Sequence, residues 1–203
     1  MGGVSGVVFD FGNVLIDWQP LAALTAGLGE EEAQRFLTAD DFDFMAWNHH
    51  QDAGRAWDEA IDELRTSHPH WVRHAEAYLE HFTRSLAEMP GTPDILRDLH
   101  GAGVPVLGLT NWSAELYPHA PAAFDFIGLL DVVVVSGREG VAKPDAAAFE
   151  LVAERSGLPL DRLVFVDDSP RNVDAAAALG MDALLFTGAD TLRDALRERG
   201  LPV

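Results

Sequence analysis

Val7-Val8-Phe9-Asp10-Phe11-Gly12-Asn13-Val14-Leu15 is the stretch whose reading decides the fold. Val7, Val8 and Phe9 make a short apolar run, as expected for the end of a buried parallel strand. The run stops at Asp10, and Gly12-Asn13 is a turn signal. A carboxylate at the C-terminal edge of such a strand sits where open α/β sheets place their ligands.

Outward from this stretch, the pattern changes twice. Residues 4–9 read as the first strand and 11–17 as a loop with an apolar centre. From residue 18 to about 88 the spacing is helical: Leu21, Leu24 and Leu28, then a start at Glu30-Glu31-Glu32, a third helix after Gly54, and a fourth from Pro69. Trp47, Trp57 and Trp71 are expected in the core of that module. After Met89-Pro90-Gly91-Thr92-Pro93, strands are expected at 104–109, 132–135, 163–166 and 183–186. Helices are expected before the first of these, ending at Gly101, and then at 144–156, 173–179 and 191–199. This alternation predicts an α/β fold, a doubly wound (Rossmann-like) parallel sheet of five strands with an inserted helical unit. The expected division is a Rossmann-like core at 1–17 and 89–203 and a helical unit at 18–88.

Composition narrows the function. The 203 residues carry 33 Asp+Glu against 14 Lys+Arg, a formal charge of −19, which argues against a nucleic-acid partner. No apolar run reaches the ~18 residues of a membrane span, so no membrane partner is expected. With no cysteine there is no disulfide framework and no thiolate metal site. Cytoplasmic location is the default expectation, as a monomer or homodimer. An anionic substrate would meet a repulsive field and need a divalent cation or a placed Lys.

Four expected strands end in, or run into, polar residues: Asp10; Thr110-Asn111; Ser136-Gly137 with Lys143 shortly after; and Asp167-Asp168-Ser169. Such strand ends converge on one crevice. Asp carboxylates are hard ligands for Mg²⁺, and an Asp can also serve as a nucleophile that becomes phosphorylated. Thr110, the Asn111 N–H and Lys143 are suited to the remaining phosphoryl oxygens.

With these residues in place, the sequence resembles the haloacid dehalogenase superfamily of hydrolases. "VVFDFGNVL" is similar to its nucleophile motif, "LGLTNWS" to its second, "VAKPDAAAFE" to its lysine motif and "VFVDDSPRNVDAA" to its acidic motif. The resemblance implies that Asp10 is nucleophile and metal ligand, that Gly12 offers its carbonyl to Mg²⁺, and that Asp168 completes the metal set, with Asp167 direct or through water. It implies Thr110 and Asn111 on the phosphoryl oxygens, Lys143 bridging Asp10 and phosphate, and the helical unit as a cap. Most phosphatases of the family carry a second Asp, the general acid and base, two residues after the nucleophile. Here that position is Gly12, as in a branch that includes bacterial sugar-1-phosphate phosphatases.

The expectation is a Mg²⁺-dependent phosphatase acting on a small phosphorylated metabolite, such as a sugar phosphate, through an aspartyl-phosphate. The alternatives are a metal-independent 2-haloacid dehalogenase and a non-catalytic binding or regulatory relative. In the cap, Asn48 and Arg55 are the candidate substrate contacts, and His49, His50 or Asp52 the candidates to replace the missing acid. Asn172 is a candidate to hold the acidic loop. No second metal is expected at His68, His70 and His74, which lack a completing carboxylate or cysteine.

Overall fold

The computed structural model describes residues 3–203. The chain runs through β1 (Gly6–Phe9), β2 (Ile16–Trp18), α1 (Pro20–Leu28), α2 (Glu30–Leu37), α3 (Phe44–Asp52), α4 (Trp57–Ser67), α5 (Val72–Glu80) and β3 (Leu86–Glu88). It continues through α6 (Thr92–Gly101), β4 (Val106–Thr110), α7 (His119–Ala123), β5 (Val132–Val135), α8 (Ser136–Glu139) and α9 (Ala146–Ser156). It closes with β6 (Leu163–Asp167), α10 (Pro170–Ala178), β7 (Asp182–Leu185) and α11 (Ala189–Glu198).

Five strands form one parallel sheet in the order β5-β4-β1-β6-β7. Strand β1 lies at its centre, with β4 on one side and β6 on the other; the chain builds out through β4 to β5 and then crosses back to add β6 and β7 on the far side. Alternate residues of each strand serve opposite faces. Val7, Phe9, Val164 and Val166 belong to one apolar cluster, which takes in α6 and α11 residues; Val8, Leu107, Leu163 and Phe165 belong to the other, with α9 and α10 residues. Both faces being covered is why β1, β4 and β6 are buried along their whole length.

Two close approaches fix the centre. A Cβ on Gly108 would stand 2.6 Å from the Phe11 ring, so the missing side chain on β4 is what admits that ring. One on Gly137 would meet the Ala114 nitrogen at 2.5 Å and the Trp112 carbonyl at 2.7 Å.

The structure differs from the expected elements in identifiable places. The stretch read as a loop over 11–17 ends in β2, which pairs antiparallel with β3 and frames α1 to α5. Three-residue strands lie below what alternation can signal. Strand β4 starts at Val106 rather than 104, because Pro105 has no N–H to give and uses its carbonyl to accept from Val7. Helix α3 was not among the expected helices; it begins where Asp43 accepts a hydrogen bond from the Ala46 N–H at 2.9 Å. The segment expected to be helical from Pro69 opens as a 3₁₀ turn, Pro69–Trp71, before α5. Helix α10 starts at Pro170, its first-turn proline, three residues earlier than expected.

Helices α1 to α5 pack around aromatics: the Trp47 and Trp57 ring centroids lie 5.3 Å apart and those of Phe44 and Tyr78 5.2 Å apart. Trp47, Trp57 and Trp71 are all buried, as expected. Among the described residues, no helix is long and apolar enough to cross a membrane.

Candidate active site

Register places the acidic groups. Phe9 pairs with Val166, and the next amide, that of Asp10, donates to the Val166 carbonyl at 2.9 Å, so Asp10 emerges beside Asp167 at the end of β6. Thr110 ends β4 on the other side. The chain then reverses tightly, with the Phe11 carbonyl accepting from the amides of Val14, Leu15 and Ile16. Asn13 sits at φ 56°, a left-handed conformation that Asn tolerates well. Its side-chain amide donates to Asp168 at 3.1 Å.

Lys143 is 2 % exposed. Its ammonium lies 2.8 Å from Asp10 Oδ1 and 2.6 Å from Asp167 Oδ2. Burial works against its charge, but the two carboxylates outweigh that and hold its pKa above the ordinary lysine value. Asp10 is 8 % exposed, and burial raises its carboxyl well above the usual range; Lys143 opposes this, and Asp167 and Asp168 add to it. Its Oδ1 also accepts from the Phe11 N–H at 2.6 Å; among the described residues nothing donates to Oδ2.

The loop carrying Lys143 is held by Asn111. The Asn111 amide donates to the Lys143 carbonyl at 2.9 Å and accepts from the Lys143 N–H at 2.8 Å. The side chain of Asn111 is therefore spent on positioning Lys143, and its backbone N–H is what remains for a phosphoryl group. Asp167 is likewise occupied. It accepts from Lys143, from the Ser169 N–H at 2.8 Å and from Asn172 at 3.0 and 3.1 Å. Its oxygens face the lysine rather than open space, and Asn172 holds it there. Asp168, half-buried, takes only the hydrogen bond from Asn13 among the described residues.

Asp10, Asp167 and Asp168 bring ligand oxygens within 4.8 Å of one another, and no other such group of acidic and imidazole side chains occurs among the described residues. Three carboxylates against the single ammonium of Lys143 leave a formal charge of −2. That excess, with hard oxygen donors, fits a divalent cation such as Mg²⁺. Asp10 and Asp168, with the Gly12 carbonyl, are the residues that would hold it.

A narrow cavity opens beside this cluster. Gly12, Thr110 and Asn111 form its floor, and Ile16, Trp18, Tyr78, Phe82, Trp112 and Leu116 most of its wall. Asn48 and Asp52 of α3 are its polar lining on the helical side, joined by a hydrogen bond of 3.0 Å. Arg55 does not line it. Its guanidinium is bonded to Gln51 at 2.7 Å, to Glu63 and to the Trp47 carbonyl, so the expectation that it meets substrate gives way to a role in holding α3 against α4.

The helical unit is fastened over the cavity by its polar edge. Ser136 donates to the Asp52 carbonyl and accepts from the Trp112 N–H at 2.9 Å. Trp57 donates from its indole to Ser113 at 3.0 Å and from its backbone to Glu115 at 2.9 Å. Ser136 is among the polar strand ends expected to converge here, but its bond to the Asp52 carbonyl of the helical unit has no signal in the sequence. Asn13 has only the Gly-Asn turn to mark it.

A family model, haloacid dehalogenase-like hydrolase, matches residues 4–180. The chain belongs to the haloacid dehalogenase-like hydrolases. It is 26 % identical to the sesquiterpene phosphatase of Aspergillus oryzae over 194 residues, covering 96 % of this chain and 94 % of that one. It is 28 % identical to hexitol phosphatase A of Escherichia coli over 198 residues, covering 93 % and 86 %. It is also 26 % identical to the drimenol cyclase of Aspergillus calidoustus, with 98 % of this chain matched but only 38 % of that protein spanned. In fold it is similar to a magnesium complex of a haloacid dehalogenase family enzyme from Bacteroides thetaiotaomicron, with TM-score 0.74, 18 % identity, and 97 % and 100 % coverage.

Proposed function

We propose that this hydrolase is a Mg²⁺-dependent phosphatase that cleaves a small phosphate monoester through an aspartyl-phosphate on Asp10. The observation that carries this reading is the acidic trio with its surplus of two negative charges beside a buried Lys143. A haloacid dehalogenase would use Asp10 and Lys143 but has no need of a cation, and so gives Asp168 nothing to do. Phosphatases among the relatives support the same choice.

The residues divide the work by position. Asp10 Oδ2, the oxygen without a donor among the described residues, attacks phosphorus. Lys143 holds Oδ1 in place, while the Thr110 hydroxyl and the Asn111 N–H meet the phosphoryl oxygens as charge moves to them. Bound Mg²⁺ neutralises phosphoryl charge in a protein that otherwise repels anions.

The wall argues for the organic half of the substrate. Ile16, Trp18, Phe82, Trp112 and Leu116 offer apolar and flat surfaces, and Asn48, Asp52 and the Tyr78 phenol offer a few hydrogen bonds to hydroxyls. An ester of a compact apolar or aromatic alcohol fits better than the polyhydroxylated sugar phosphate expected from the Asp-x-Gly-Asn pattern. Turnover of prenyl, aryl, hexitol and sugar-1-phosphates, with Mg²⁺ and after chelation, tests both halves. Higher kcat/KM on the apolar esters is the expected result; preference for hexitol or sugar phosphates rejects the substrate class. Full activity after chelation rejects the metal-dependent reading.

A further inference from the structure

Gly12 leaves the leaving-group oxygen without a proton donor from β1, and a Cβ built there meets nothing within 4 Å. The space above it is the cavity that Asp52 lines from the helical side. His49 and His50, on the same helix, are exposed and do not line it. The geometry points to Asp52 as the proton donor that stands in for the side chain missing at position 12. This inference rests on the phosphatase reading and adds to it a catalytic residue contributed by the helical unit.

Two features hold Asp52 to that task. Its backbone is latched to the core by Ser136, which also binds the Trp112 amide next to the phosphate-binding end of β4, so the carboxyl is placed relative to the floor of the site. Burial pushes the carboxyl up to about 8, with the Ser113 backbone and the Asn48 amide offsetting only part of that. At neutral pH the group therefore carries a proton to give. The titratable groups around it do not compete. Tyr78 on α5 is itself raised by burial and stays a neutral phenol; Glu115 is engaged by the Trp57 amide; Asp10 and Lys143 are paired with each other.

The steps balance. Asp10 Oδ2 forms a bond to phosphorus as the P–O bond to the leaving group breaks, and that oxygen takes the Asp52 proton to leave as a neutral alcohol. Water then attacks phosphorus, its proton passes to the Asp52 carboxylate, and the bond to Asp10 breaks to release inorganic phosphate. Both carboxyl groups end as they began.

The test is kcat/KM for wild type and Asp52→Asn across a series from nitrophenyl to alkyl phosphates, with Mg²⁺ present. Because kcat/KM reports the first half-reaction, the loss in Asp52→Asn is expected to grow with leaving-group pKa, reaching about 10²–10⁴-fold for alkyl esters. A loss equal on every ester, or none, overturns the role of Asp52. Wild type supplies a second measurement that needs no variant: kcat/KM on alkyl phosphates falling as pH rises through about 8, with nitrophenyl esters much less affected. The same profile for both esters overturns the proposal. Wild type inactive on every ester would instead remove the phosphatase reading beneath it.

Discussion

The Lys143 ammonium lies 2.6 Å from Asp167, nearer than its 2.8 Å to Asp10. The lysine is thus anchored by a carboxylate whose other bonds come from Ser169 and Asn172, and Asp10 approaches an already fixed cation. Asp167→Asn should therefore damage position more than metal binding. We expect about 10–100-fold lower turnover, as for groups that orient a ligand, with a destabilisation of about 2 kcal/mol. Half-activating Mg²⁺ should change far less than in Asp168→Asn. Metal titrations of the two variants check this, and equal weakening in both would place Asp167 on the metal.

Removing the cation leaves the −2 surplus uncompensated. Chelation should abolish turnover, and added Mg²⁺ should restore it and raise the unfolding midpoint. Saturation at 100 times Kd stabilises by about 2.7 kcal/mol, readable by thermal unfolding. Asp10→Asn should stay folded, lose turnover and show a smaller midpoint shift.

Asn48 and Arg55 separate cleanly. Asn48→Ala opens the polar wall and frees Asp52, so relative kcat/KM between apolar and hydroxylated esters should move by about tenfold, the scale of one lost hydrogen bond. Arg55→Ala removes bonds within the helical unit only. It should cost about 1–2 kcal/mol in urea unfolding and leave substrate preference as it was.

His74 predicts a pH-dependent loosening of the helical unit. The ring is 4 % exposed, packed on Phe36 and Trp71, with one nitrogen near Glu32 and the other without a partner among the described residues. Burial lowers its pKa below the ordinary 6.5, against the pull of Glu32. The unfolded chain then binds a proton that the folded chain refuses. Its stabilising effect is complete above pH 6.5 and declines as pH falls from there toward the depressed folded value. Urea unfolding between pH 7.5 and 5.5 should show this fall, and His74→Phe should flatten it.

Much of this was legible because the chemistry is written at strand ends. A single sharp boundary, Phe9 to Asp10, located β1 and with it the crevice, and the polar residues after β4 and β6 converged as strand order requires. What stayed hidden depends on long-range partners. Asn111 reads as a phosphate ligand in one dimension, but its amide closes a reciprocal pair with Lys143, 32 residues on. Arg55 reads as a substrate contact, but Gln51 and Glu63 take it. Asp52 reads as one of three candidates with His49 and His50, and only the folded helical unit, which buries its carboxyl and leaves both histidines exposed, tells them apart.

The vacancy at Gly108 carries a consequence for mutational tolerance. The Phe11 ring occupies the volume that any side chain at 108 would claim, and Phe11 is the carbonyl on which the turn after Asp10 closes. An added methyl at a position with no reactive atom would thus be transmitted through one aromatic ring to the nucleophile. A saturation scan should score Gly108 as intolerant as Asp10, although the two fail for unrelated reasons: one lacks chemistry, the other lacks room.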